Sequence, residues 1–463
     1  MKSIFLAGAV VGAIAFGSAV HARDNVLLII ADDMGVEALG CYGIGRDTAP
    51  TPNIDALCRR GVVFENFWSQ STCSPTRATI LTGRYGFRTG VGGPSGGPNP
   101  GIGLGEPSIF KLLEAHAGER YDSAVIGKWH LSDQQNGGDD NPARMGVPHY
   151  AGFMRGGLRD YFSWQKVVNG RTERVERYAT TEFVDDALRW LEPRKGKPWF
   201  LWLAMTAPHA PFHKPPEKLL ADRFKGLPDR PQGRDASEHY KAMINAMDTE
   251  IGRLLKGIGD RELAKTNVIF IGDNGSPRRV VGAPFTRRAA KDTLYEGGVR
   301  VPLVVAGPAV NGGGRTSKAL VNSTDLFATI LHMAGIHARG AVAAGIALDS
   351  VSFLPVLDST AAEGAREFVF TDKFGERPRR RLRAANRPGG GRRGGPPVSR
   401  HGQAIRDHSY KLIRFTDGSE EFYDLRRDPF ERRNLTASGL SGEAAKHRQS
   451  LLKHLSRLAA SRQ

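Results

Sequence analysis

Asn25-Val26-Leu27-Leu28-Ile29-Ile30-Ala31-Asp32-Asp33 places an unbroken apolar run directly ahead of two adjacent carboxylates. Such a run without polar alternation is the pattern of a strand buried on both faces of an α/β sheet. The arrangement recurs. Asn267-Val268-Ile269-Phe270-Ile271 runs into Gly272-Asp273-Asn274-Gly275, Trp199 to Met205 runs into Thr206-Ala207-Pro208-His209, and Ser123-Ala124-Val125-Ile126 runs into Gly127-Lys128-Trp129-His130. In open α/β sheets ligands bind outside the carboxyl ends of the strands, so these four termini are expected to converge. Helical patterns such as Thr181 to Leu191 and Tyr240 to Leu255 lie between them, and no internal repeat is visible.

The chain of 463 residues is 40% hydrophobic and 24% charged, an ordinary globular composition with room for one large domain and a smaller one. Met1-Lys2-Ser3, an apolar run from Ile4 to Val20 and then Val20-His21-Ala22 read as an export signal over residues 1–22, cleaved after Ala22. An uncleaved anchor is the lesser reading, because the run is short and diluted with Gly and Ser; no later segment approaches a membrane span. A periplasmic or secreted protein is therefore expected. The formal charge is +17, and Arg377 to Arg400 carries nine arginines and no acid among Gly and Pro, over half of the surplus in one low-complexity loop. The loop lacks aromatic residues for stacking, so nucleic acid is not expected as a partner. A solvated insertion is favoured there, with a grip on a polyanionic substrate as the second reading.

Two adjacent carboxylates at a strand end are costly without a counter-charge. Asp32 and Asp33, joined by Asp273 and the neutral amide of Asn274 from a matching strand, make a hard oxygen set for Ca²⁺ or Mg²⁺, and no His or Cys cluster favours zinc. His130 and His209 each follow a strand; taken singly, each reads as a core histidine, and Lys128 and Lys291 read as surface lysines. Cys73-Ser74-Pro75-Thr76-Arg77-Ala78-Thr79-Ile80-Leu81-Thr82-Gly83-Arg84 predicts a short helix. Pro75 suits its first turn and Gly83 its stop, so Cys73 lies by the positive end of the dipole, with Arg77 on the same face.

The Cys73 segment resembles the Cys-x-Pro-x-Arg signature of the type I sulfatases, formylglycine-dependent and arylsulfatase-like members of the alkaline phosphatase superfamily. The resemblance extends over nearly the whole mature chain: Asp32-Asp33-Met34-Gly35, Thr51-Pro52-Asn53-Ile54-Asp55, Gly127-Lys128-Trp129-His130, Pro208-His209, Asp273-Asn274-Gly275, Lys291 to Pro302, Asp325-Leu326-Phe327, and Phe422-Tyr423-Asp424-Leu425-Arg426-Arg427-Asp428-Pro429. It implies that a maturation enzyme oxidises Cys73 to formylglycine, whose hydrate attacks a sulfate ester. It further implies a metal held by Asp32, Asp33, Cys73, Asp273 and Asn274, with Ca²⁺ ahead of Mg²⁺. Arg77 then stabilises the hydrate, Lys128 and Lys291 clamp sulfate oxygens, His209 protonates the leaving alcohol, and His130 takes the proton that releases sulfate and restores the aldehyde. With Cys73 converted, Cys41 and Cys58 are left either to pair or, for Cys58 in a helix-like segment, to stay a buried thiol.

The fold implied is an α/β, alkaline-phosphatase-like large mixed sheet flanked by helices over residues 23–350. A smaller α+β subdomain over residues 351–463 follows, with a short antiparallel sheet and the Arg/Gly/Pro-rich loop 377–401. Glu367 to Phe370, Tyr410 to Arg414 and Glu421 to Leu425 supply strand patterns there, and Gly442 to Ala459 a terminal amphipathic helix. The substrate expected is a sulfated small molecule or glycan, selected by Gly90 to Gly105, Gly137 to Arg177, Pro211 to Pro216 and the basic loop. Two rivals stand beside this reading. One is a phosphonate monoester or phosphodiester hydrolase of the same superfamily, disfavoured by Asn274 and by the Lys128 and His130 pair. The other is a catalytically silent, metal-stabilised anion-binding protein in which Cys73 stays unconverted.

Overall fold

Val26 through Ala31 are wholly shielded from solvent because the strand they form has a neighbour on each edge and helices on both faces. The computed structural model describes residues 24–233, 236–375 and 400–461. The leader and most of the basic loop lie outside the described residues. Ten strands form one mixed sheet: β1 Asn25–Ala31, β2 Val62–Trp68, β3 Asp122–Lys128, β4 Tyr150–Phe153, β5 Trp164–Val168, β6 Arg171–Val175, β7 Trp199–Ala204, β8 Thr266–Gly272, β9 Leu303–Ala306 and β10 Arg315–Asn322. Their order is β10-β2-β9-β8-β1-β7-β3-β4-β5-β6. The four strands whose ends carry the polar motifs, β8, β1, β7 and β3, are thus adjacent and mutually parallel, with Leu28 level with both Trp202 and Ile269.

Alternation along β1 divides the core. Leu27, Ile29 and Ala31 join one apolar layer with residues of the helices Pro52–Arg60, Ala179–Leu191 and Ser237–Ile258, while Val26, Leu28 and Ile30 join the other with Cys73–Thr82, Ile109–Ala117 and Asp325–Met333. Each fully buried Leu or Ile contributes roughly 1.5–3 kcal/mol. Among the described residues no helix is long and apolar enough to cross a membrane. Cys41 and Cys58, left open by the sequence, are joined in a disulfide.

A second sheet contains β11 Val369–Lys373, β12 Gly402–Arg406, β13 Tyr410–Phe415 and β14 Glu420–Asp424, all antiparallel and in that order. The helix Gly442–Ala460 covers one face through Leu451 and Leu455. The other face, through Val369, Ala404, Ile413 and Tyr423, packs on Trp68, Leu294, Tyr295 and Val299. The small sheet therefore backs the stretch of chain that carries Lys291.

Candidate active site

Cys73 is the first residue of its helix, which stops at Gly83 in the left-handed conformation. The whole helix is buried, so its positive end is aimed into a site with little water to screen it. Thr76 Oγ1 donates to the Asp273 carbonyl at 2.6 Å, which ties this helix to the end of β8. Cys73 Sγ lies 3.1 Å from His130 Nδ1. The Ser74 hydroxyl donates to the His130 carbonyl at 2.8 Å and accepts the Ser95 N–H at 2.9 Å, so two turns of chain hold His130 from behind. Asp33 and His130 both adopt positive φ, 74° and 57°. Such strain costs on the order of 1–3 kcal/mol per residue and persists where neighbours fix it.

The charges interlock. Lys128 Nζ pairs with Asp32 Oδ2 at 2.5 Å, Arg77 Nη2 with Asp273 Oδ2 at 2.9 Å, and Lys291 with Asp33. Arg77 Nη1 also donates to the Lys128 carbonyl at 2.7 Å. His209 Nε2 stands 3.7 Å from Asp33 Oδ2, its Nδ1 against the Ala210 carbonyl at 2.6 Å. All the residues the sequence singled out, Asp32, Asp33, Cys73, Arg77, Lys128, His130, His209, Asp273, Asn274 and Lys291, are linked in this one network, which a further bond from Asn274 Nδ2 to Asp33 Oδ1 at 2.8 Å completes.

Unpartnered acceptors mark where a cation fits. Asp32 Oδ1 and Asn274 Oδ1 are buried without a hydrogen bond. Ligand atoms of Asp32, Cys73 and Asp273 lie within 4.8 Å of one another, as do those of Asp32, Asp33 and His209. Burial, with Asp273 beside it, pushes Asp32 up to about 8 even though Lys128 opposes the shift, a penalty that a divalent cation relieves. Asp33 is driven up by burial but held well below the carboxylate range by Lys291, His209 and Lys128. Three carboxylates face three cations, so a bound divalent ion leaves the site positive toward an ester anion. Burial and the Lys128 and Arg77 charges push His130 well below its ordinary value. His209 falls to about 4 through burial and Lys291, against the pull of Asp33.

Sequence reasoning missed the supports. Tyr240 donates to the Asp33 carbonyl at 2.8 Å and bonds Ser276 Oγ at 2.9 Å, and Ser276 Oγ accepts the Gly35 N–H at 3.1 Å. Tyr161 donates to the carbonyls of Thr206 and His209 at 2.8 and 2.6 Å. None of these lies in a short motif, and the partners are tens to hundreds of residues apart, so local pattern carries no signal for them.

Beside Ser276 sits Glu37, buried at 4% exposure. Burial, offset in part by Ser276, pushes it up to about 7 from an ordinary 4.5. A raised folded value means the folded chain holds the extra proton, so the stability contribution is present below pH 4.5 and lost as pH rises through about 7. Glu37→Gln is expected to gain stability over the wild type across that window, by up to about 1.4 kcal/mol per pH unit. Urea midpoints at four pH values measure it; parallel curves for the two proteins would refute it.

The profile of the Sulfatase family matches residues 24–336. The chain belongs to the sulfatase family. Among its sulfatase relatives is N-acetylgalactosamine-6-sulfatase of Sus scrofa, 30% identical over 370 residues, which cover 72% of this chain and 66% of the relative. The chain thus spans just under two thirds of that relative's own length. Two solved structures share the fold: Ps i-CgsB in complex with k-i-k-neocarrahexaose, with TM-score 0.76, 23% identity and coverage of 96% of this chain and 94% of that one; and BT4656 in complex with its substrate D-glucosamine-2-N,6-O-disulfate, with TM-score 0.71, 22% identity and coverage of 95% and 98%.

Proposed function

We propose that the protein is a sulfuric ester hydrolase that cleaves sulfate monoesters of a carbohydrate or aryl substrate through a formylglycine made from Cys73. The observation that carries this is the placement of Cys73 against His130, inside a ring of Arg77, Lys128 and Lys291 that balances three carboxylates. Family membership supports it, and the sugar substrates named for relatives lean it towards glycans. We read residues 1–22 as a leader, 23–350 as the catalytic unit and 351–463 as a C-terminal subdomain, in a protein exported to the periplasm or secreted. Its maturation partner is a formylglycine-generating enzyme.

Asp32, Asp33, Asp273 and Asn274, with residue 73, would hold Ca²⁺, or Mg²⁺ in its place. When bound, the ion supplies Lewis acidity, and the converted residue supplies a nucleophilic hydroxyl that can be regenerated. The remaining work falls to this chain's side chains. Lys128 and Lys291 grip sulfate oxygens where negative charge grows. Arg77, fixed by Asp273 and the Lys128 carbonyl, holds the substituent at position 73. His209 delivers a proton to the leaving oxygen; the negative charge of a bound ester raises its proton affinity from the low value it has alone. His130, kept neutral by burial and the adjacent cations, takes a proton from position 73 through Nδ1.

The test is the initial rate on an aryl sulfate beside an aryl phosphonate monoester, using protein co-expressed with a formylglycine-generating enzyme. Faster sulfate turnover supports the reading. A clear preference for the phosphonate would favour the rival hydrolase, and no turnover of either the silent anion binder.

A further inference from the structure

We propose that the segment from Arg155 to Phe162 forms a second subsite, which takes the neighbouring sugar of a sulfated glycan by an anionic substituent on that sugar. The proposal deepens the sulfatase reading and rests on it.

The segment leaves β4 alongside the active site. The Phe153 and Met154 carbonyls accept the N–H groups of Trp129 and His130 at 2.9 and 3.2 Å. The chain then runs so close to the two histidines that a Cβ on Gly156 would come within 2.8 Å of the His130 ring, and one on Gly157 within 2.8 Å of the His209 ring. Any side chain at either position would strike the imidazoles, so the two glycines are a wall of the site. The wall is fixed in place: Leu158 and Tyr161 are buried, and the Tyr161 hydroxyl donates to the His209 carbonyl.

Two cations flank that wall. Arg155 and Arg159 are exposed, and among the described residues neither makes a hydrogen bond or ion pair. The acid of the segment, Asp160, is engaged by Oδ1 with the Phe162 N–H at 2.8 Å. Arg155 is one Cα step, about 3.8 Å, from the glycine that abuts His130, and a guanidinium is suited to a carboxylate or a sulfate by its planar fork. Phe162 follows, 39% exposed and one of two large apolar side chains so exposed among the described residues. Its ring lies 5.2 Å from Tyr178 and 5.6 Å from His213, which gives a sugar an aromatic face to rest on. Two unpaired cations and an exposed aromatic ring on a rigid segment against both histidines fit an acidic sugar next to the one that carries the ester. A small aryl sulfate has no group to reach them.

Inhibition of 4-nitrophenyl sulfate hydrolysis by chondroitin 6-sulfate and heparin hexasaccharides tests this, because competition locates binding at the site. For at least one hexasaccharide, Arg155→Ala/Arg159→Ala is expected to raise Ki about tenfold or more, with a much smaller change in kcat/KM for the aryl sulfate. Phe162→Ala raises Ki about threefold, and deletion of residues 377–399 leaves Ki as it is. An unchanged Ki in the double variant, inhibition by neither hexasaccharide, or a Ki governed by the deleted loop overturns the subsite. Should the wild type show no sulfatase activity, the proposed function fails on its own; fluorescence polarisation of the labelled hexasaccharides on the same variants then decides the subsite alone.

Discussion

Cys73→Ser will lower turnover of an aryl sulfate by roughly 10⁴-fold or more, the scale set by losing a nucleophile that acts as part of a unit. Cys73 is 3% exposed, and burial pushes its thiol above the ordinary range, with Lys128 and Lys291 only partly offsetting it. A protonated thiol is a poor nucleophile, so the unmodified residue is badly suited to the position that the surrounding cations define. Serine at this place accepts sulfate and then has no second hydroxyl from which His130 could draw the proton that expels it. Intact-mass spectra should accordingly show the Cys73→Ser protein gaining one sulfuryl group (SO3) and keeping it. Full activity in that variant, or an unmodified thiol at position 73 in fully active wild type, would sink the formylglycine scheme.

Much of this site was legible because its groups are tied to strand ends. Asp32, Asp33, Asp273 and Asn274 each directly follow a continuous apolar run, and parallel neighbours in one sheet carry such ends to the same edge. Boundaries were less exact. The strand read as starting at Ser123 and stopping at Ile126 runs from Asp122 to Lys128, because pairing with β7 and β4 keeps Gly127 and Lys128 in the ladder. In the small sheet, Val369–Lys373 starts two residues later than its apolar pattern and continues through Asp372 and Lys373. Gly402–Arg406 passed unnoticed: its two apolar residues, Ala404 and Ile405, are adjacent between Gln403 and Arg406, so five residues show neither an apolar run nor an alternation beside the basic loop. The helix Gly442–Ala460, with a long amphipathic repeat, matched its pattern within a residue. Bonds between groups far apart in the chain, such as the Tyr240 hydroxyl to the Asp33 carbonyl, leave no periodic trace at all.

Lys411→Met will cost about 3–5 kcal/mol of folding stability, the range for removing one partner from a buried ion cluster. Lys411 on β13 is 0% exposed and pairs with Glu431 Oε1 at 2.8 Å and Glu296 Oε1 at 3.2 Å, its ammonium 4.6 Å from the Trp68 ring centre. Glu431 Oε2 in turn accepts the Glu296 N–H at 2.5 Å, and Trp68 Nε1 donates to Glu296 Oε1 at 3.1 Å. Arg406 reaches Glu296 Oε2 at 3.4 Å, so methionine at 411 strands Glu431 rather than Glu296. Burial already pushes Glu431 up to about 7, with Lys411 pulling it back and Glu296 adding to the rise. If the cost is that of a stranded carboxylate, Lys411→Met/Glu431→Gln should recover at least half of it, an interaction that a double-mutant cycle on urea midpoints reads directly. A single variant as stable as the wild type, or a double variant no better than the single, would show that packing on Trp68 rather than charge joins the two sheets. The outcome bears on chemistry, because Glu296 sits five residues beyond Lys291, and Lys373 on β11 binds the Asp292 carbonyl at 2.7 Å. The small sheet thus grips both ends of the turn that presents Lys291 to Asp33, and loosening it should raise KM for an aryl sulfate before it removes the fold.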